Sequence, residues 1–119
     1  MNRCLEQLSL WSLRDEHIFW LAKMCQSSYF GESAKGVLER ARRGECQVWG
    51  FNGDKGVVLT EFLQHPGGKE LFVCGFAGNG VIAKLRTIQK ELAEVANALY
   101  RVGFRKSASQ NETIQHCLL

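Results

Sequence analysis

The sequence predicts an α+β domain: a mostly antiparallel sheet of three or more strands, flanked by helices. Three observations predict it. Short β-like runs at residues 46–51 (CQVWGF), 56–64 (GVVLTEFLQ) and 70–77 (ELFVCGFA) follow one another across brief turns. Helical periodicity stands before and after them. In the second run Val57, Leu59 and Leu63 point one way and Val58 and Phe62 the other, so both faces of the sheet need cover.

Within 119 residues this is one domain with a single core, and 45% apolar against 23% charged residues is ordinary for a folded chain. A net charge of +3 leaves room for an anionic ligand but is too mild for a nucleic-acid surface. Cys4, Cys25, Cys46, Cys74 and Cys117 are scattered, with no CxxC pair, and His17, His65 and His116 lie off metal-ligand spacing. They read as reduced thiols of a cytosolic protein, and no metal site is expected. The N-terminal MNRCLEQLSLWSL is broken by polar residues, so neither a secretory segment nor a membrane span is expected.

The elements follow in order. The first thirty residues read as helical. Ser12 and Asp15 fit a capping box ahead of Ile18, Leu21, Ala22 and Cys25 at helical spacing, and Trp11, Phe19 and Trp20 are expected in the core. A short second helix starts at the N-cap Ser33, buries Val37, Leu38 and Ala41, and stops at Gly44 after Arg42 and Arg43. Asn52-Gly53 and His65-Pro66-Gly67-Gly68 are the turns between the three strands, and short connections favour an antiparallel meander. A glycine loop, Gly78-Asn79-Gly80, then leads into a long amphipathic helix from Val81 to about Arg101. Its stripe is Leu85, Ile88, Leu92, Val95, Leu99 and Val102, and at 1.5 Å per residue it would be about 30 Å long. The stripe suits packing along the sheet, with a dimer seam as the alternative. Residues 106–119 read as a flexible tail whose end, 113–119, could add an edge strand.

A strand, a glycine turn and a helix N-terminus can together hold a phosphate, because free N–H groups and the positive end of the helix dipole converge there. This order of elements resembles the middle of the acetyltransferase (GNAT) superfamily, whose loop is written [R/Q]-x-x-G-x-[G/A]. Gly75-Phe76-Ala77-Gly78-Asn79-Gly80 matches at Gly78 and Gly80, with Gly75 where Arg or Gln is expected. A narrower likeness is to small GNAT-like proteins of phages and prophages, which carry G-x-x-x-T-E-x-x-x-[YH]-P. Gly56, Thr60, Glu61, His65 and Pro66 fit that form, as does Leu38-Glu39-Arg40-Ala41 with Gly44-Glu45 upstream. Leu99-Tyr100 with Gly103-Phe104 resembles a further family segment. The likeness spans roughly residues 30–105.

If the family chemistry is present, the resemblance implies direct attack of an amine on an acyl-CoA thioester. Gly78, Asn79, Gly80, Val81 and Ile82 would hold pyrophosphate, with Lys84 near the CoA phosphate, Glu61 as general base and Tyr100 as the acid toward the thiolate. Each has a structural competitor: turn glycines, a salt-bridged Glu61, a Tyr100 at the core edge, a solvated Lys84. One uninterrupted helix would also hold Tyr100 far from the loop, and a family strand would be missing between them. The expectation is therefore a truncated or degenerate GNAT-like protein, non-catalytic, with no cofactor unless acetyl-CoA still binds. It would act through a host or phage protein partner, in the bacterial cytoplasm or the virion, and could self-associate through a sheet edge. The alternatives are an acyl-CoA-dependent N-acyltransferase and an inhibitor of a host nuclease or defence complex.

Overall fold

The structure is a computed structural model that describes residues 3–26 and 30–95, and the backbone of residues 100–104. Its elements run β1 (Leu5–Leu8), a 3-10 turn (Leu10–Ser12), α1 (Asp15–Cys25), α2 (Ala34–Arg42), β2 (Gln47–Phe51), β3 (Gly56–His65), β4 (Gly68–Gly78), a second 3-10 turn (Ile82–Lys84), α3 (Leu85–Val95) and β5 (Tyr100–Phe104). The strands lie in chain order in one sheet, antiparallel from β1 to β4 and parallel between β4 and β5. The predicted α+β class and the mostly antiparallel, helix-flanked sheet both hold.

The alternation in β3 builds two cores. Val57 and Leu59 face α1 and α2, where they pack with Leu21, Met24, Phe30, Val37 and Val48. Val58 faces α3 and packs with Leu85, Ile88, Leu92, Trp49, Phe51, Leu71 and Val73. Each fully buried aliphatic side chain contributes roughly 1.5–3 kcal/mol, so two filled faces rather than one hold the sheet. The second helix forms as the sequence predicts. Ser33 caps it by accepting from the Gly36 N–H at 3.0 Å, Val37 is buried, and Gly44 ends it at φ 78°. Asn52 and Gly53 turn with φ 46° and 79°, closed by the Lys55 N–H donating to the Phe51 carbonyl at 3.1 Å.

Four expectations are corrected. The first thirty residues are not all helical: Leu5–Leu8 pairs with β2 as an edge strand, pinned by Glu91 of α3, whose carboxylate accepts from the Cys4 and Leu5 N–H groups at 2.9 and 3.0 Å. Ser12 closes a 3-10 turn, and α1 starts after Arg14. There the Arg14 N–H donates to His17 Nδ1 at 3.0 Å, while His17 Nε2 meets the Gly53 carbonyl at 2.9 Å. Trp11 and Phe19 are outside the core, 91% and 52% exposed: the 3-10 turn buries none of its residues, and α1 turns only Leu21, Met24 and His17 inward.

The fourth correction concerns the last helix. Its described part runs to Val95, 46% exposed, and Tyr100–Phe104 is strand β5 beside β4. Residues 81–101 are therefore not one helix, and a strand does follow it. Leu85, Ile88 and Leu92 pack on the sheet, which leaves no need for a dimer seam through them. Leu99 and the tail 106–119, with its proposed edge strand, lie outside the described residues. No helix among the described residues is long and apolar enough to cross a membrane.

Candidate functional site at the end of strand β4

Strand β4 and the loop after it carry most of the predicted site. Against β3 its register shifts: Leu59 lies opposite Gly75 and Thr60 opposite Val73, leaving Cys74 as an extra residue. This β-bulge turns neighbours that should alternate onto one face. Cys74 is buried in the α1/α2 core, and a Cβ on Gly75 would sit 2.9 Å from Met24 Sδ and 3.1 Å from the Phe30 ring. A side chain at Gly75 would have to displace the Met24 side chain and the Phe30 ring from the core.

The loop glycines differ in kind. Gly78 has φ 152°, and its Cβ would lie 2.4 Å from Gly56 Cα and 2.6 Å from the Lys55 carbonyl oxygen. The Asn79 N–H donates to that same Lys55 carbonyl at 2.9 Å. Gly78 and Asn79 thus tie the loop to the start of β3. Gly80 has φ 83° with nothing near its Cβ position, so backbone conformation alone asks for glycine there. Val81 is buried beneath the Gly56–Gly78 contact. Ile82 and Lys84 are exposed, and the Lys84 N–H donates to the Val81 carbonyl at 3.0 Å. Gly80, Val81 and Ile82 form the turn that leads into the helical segment at the carboxyl end of β4, and backbone N–H groups ahead of a helical turn suit an anion.

The two catalytic candidates are elsewhere. Glu61 accepts from Arg40 Nη1 at 2.8 Å, and the same guanidinium binds Glu32 through Nε at 2.9 Å and Nη2 at 3.0 Å. These side chains are only 21–27% exposed, and the two carboxylates hold Arg40 charged, its proton more tightly bound than usual. Glu61 is thus a tie between α2 and β3. The backbone of Tyr100 pairs with Lys69, at the opposite end of β4 from Gly78. At about 3.3 Å per residue that separates Tyr100 from the loop by about 30 Å. Strand β5, rather than a long helix, now accounts for the distance.

Other matched motif residues also make internal contacts. Thr60, fully buried, accepts from Trp49 Nε1 and donates to Gln47 Oε1, both at 2.9 Å. His65 Nε2 meets Glu70 Oε1 at 2.9 Å beside the Pro66-Gly67 turn. Cys46 and Cys74 are buried, and burial pushes the Cys46 thiol up, as it does Cys4 and Cys25. Among the described residues no His, Cys, Asp and Glu group could hold a metal ion. The sequence named Arg40 and Thr60 only as parts of a motif. Their partners Glu32, Trp49 and Gln47 carry no local signal, because the contacts form only when α2 and β2 lie against β3.

No protein-family model matches the chain, and no match is found among the curated proteins or the solved structures compared with it.

Proposed function

We propose that this chain is a phage- or prophage-derived protein with a GNAT-like core that works through protein–protein contacts, on a host target or within the virion, and not through acyl transfer. The observation that carries the reading is where the motif residues are engaged. Gly56 packs against Gly78, Thr60 bonds Trp49 and Gln47, Glu61 is bound by Arg40, and His65 by Glu70. A general base must reach the proton it abstracts, and a carboxylate bound to an arginine within the fold is poorly placed for that. Tyr100, a full strand length from the loop, supports the same reading. The test is free-thiol release from acetyl-CoA in the presence of polyamines, aminoglycosides and lysine peptides. The proposal predicts release at the uncatalysed rate; release proportional to protein would sink it.

A second reading, acyl-CoA binding without or with transfer, is favoured by one specific feature. The bulge at Cys74, the loop and the parallel strand β5 put a glycine turn and the start of a helical segment at the carboxyl end of β4, where ligands collect in parallel strand–helix–strand units. Calorimetric titration with acetyl-CoA tests it. Binding lost in Gly80→Asp but kept in Gly80→Asn would support it; the pair separates added charge from backbone strain. Absence of heat from the folded wild type at millimolar acetyl-CoA would count against it.

A further inference from the structure

An open cleft of about 450 Å³ lies on the α1 side of the sheet, lined by Asp15, Glu16, Phe19, Trp20, Asp54, Lys55 and Asn79. We infer that it docks a segment of a partner protein that presents a lysine or arginine next to an apolar side chain. This rests on the protein-contact reading and names the surface that would serve it.

Charge is the first ground. The lining holds three carboxylates and one lysine; with Arg14 paired to Asp54 and Lys23 over Phe19, Asp15 and Glu16 are the carboxylates left for a partner. Asp15 and Glu16 are exposed and make no ion pair among the described residues, while Asp54 shares its charge with Arg14 at 3.6 Å. A nucleic acid or an anionic membrane would meet these carboxylates unfavourably; a basic side chain would not. The walls are the second ground. Phe19 is 52% exposed and Trp20 half-buried, their rings edge to face with centroids 5.0 Å apart. The Trp20 indole N–H donates to the Asp54 carbonyl at 3.1 Å, which fixes that wall against the β2–β3 turn.

The third ground is that the chain already uses one ring in this way. The Lys23 ammonium lies 5.6 Å over the Phe19 ring. Aromatic faces attract cations, and long basic side chains lay their methylenes along apolar walls while the charge stays beside carboxylates. The cleft is open, so useful affinity needs neighbouring contact, and Ile18 at 37% exposure continues the apolar surface along α1. Rigid aromatic anchors with a charged rim are what protein contacts use as energetic centres.

The test is a heteronuclear NMR titration with a capped peptide, Ala-Leu-Lys-Leu-Arg-Ala, and with the same peptide carrying glutamate for both basic residues. The basic peptide should shift the Trp20 indole N–H and the Asp15, Glu16 and Asp54 amides in a saturable way, and the acidic peptide should not. Phe19→Ala, whose side chain is half outside the fold, should weaken binding about tenfold or more. Asp15→Asn with Glu16→Gln should weaken it about fivefold. No shifts with either peptide, equal shifts with both, or shifts confined to Gly80, Val81 and Ile82 would overturn the inference. So would concentration-dependent shifts without peptide, which would mean that a second copy fills the cleft. Failure here without thiol release moves the contact surface elsewhere and leaves the protein-contact reading standing; thiol release sinks that reading whatever the cleft binds.

Discussion

A Cβ on Gly78 would lie 2.4 Å from the Cα of Gly56. The two glycines let β3 and the end of β4 touch backbone to backbone, with Val81 closing the contact from below. Gly78→Ala should therefore cost about 2–4 kcal/mol, because backbone must move and the new residue is held at a φ that L side chains avoid. Gly80→Ala should cost about 1 kcal/mol, for strain alone. Urea unfolding of both variants checks the order. It also fixes where ligand binding can be tested: a change at Gly78 reports on folding, a change at Gly80 on the loop.

Arg40→Met should destabilise the fold although Arg40 lies outside the apolar cores. It would leave Glu32 and Glu61 close together in a site where each carboxylate is about a quarter exposed. Fully buried pairs lose about 3–5 kcal/mol when broken; partial exposure reduces the expected loss to about 1–3 kcal/mol. Adding Glu32→Gln and Glu61→Gln to Arg40→Met should recover much of it, since the uncompensated charges go. Equal stability of Arg40→Met and wild type in denaturant would contradict the tie.

His17 is buried with both ring nitrogens engaged by backbone. Nδ1 accepts from the Arg14 N–H, so the neutral ring carries its proton on Nε2 and donates to the Gly53 carbonyl. Gly50 makes the room: a Cβ there would lie 2.7 Å from the Gly53 oxygen and 3.2 Å from His17 Nε2. His17→Phe keeps the ring but leaves an amide and a carbonyl unsatisfied, and should cost about 2–4 kcal/mol. Long-range nitrogen–proton correlation should show the Nε2–H tautomer.

Cys46 predicts an alkaline limit. Its thiol is raised above 9.0, first by burial and partly offset by Arg40, with Glu32, Glu61 and Glu45 pushing the same way as burial. An acid whose folded pKa is raised stays protonated in the fold while the unfolded chain loses its proton. Stability from this group is thus complete below pH 9 and is lost as pH rises through the folded value. Cys46→Ala should lower stability at neutral pH through lost packing, yet show a smaller fall between pH 8 and pH 10. Parallel falls in the two proteins would contradict this.

The legible part of the fold was the local part. Ser33 and Gly44 bound α2 because a cap and a left-handed stop act within a few residues. The strands from Gln47 to Gly78 were readable from alternation and from two turn dipeptides. β1 was not, because LEQL is short and polar at its middle, and what holds it is Glu91, far along the chain. Trp11 was placed in the core on size alone, but a bulky side chain on a 3-10 turn has no inward face to occupy. The stripe through Val95, Leu99 and Val102 carried the helical spacing into Tyr100–Phe104, which is strand. Only tertiary pairing with β4 decides that Tyr100–Phe104 is a strand.

The candidate site was half legible for a related reason. Gly78 and Gly80 were found together because a glycine pair before a helix is a local signal, but their different roles depend on Gly56 and Lys55 across the sheet. Glu61 drew attention as a carboxylate on a central strand. The arginine that binds it comes from a helix on the other side of two turns, and no spacing announces that.

The central claim is that Glu61 is a tie within the fold and not a base. Urea unfolding of Glu61→Gln beside the wild type, with thiol release from acetyl-CoA read on the same samples, tests it most directly. The account predicts a loss of about 1–2 kcal/mol, since Arg40 keeps Glu32 but loses a charged partner, and no thiol release by either protein above the uncatalysed rate. Unchanged stability, together with wild-type turnover that the substitution abolishes, would contradict it.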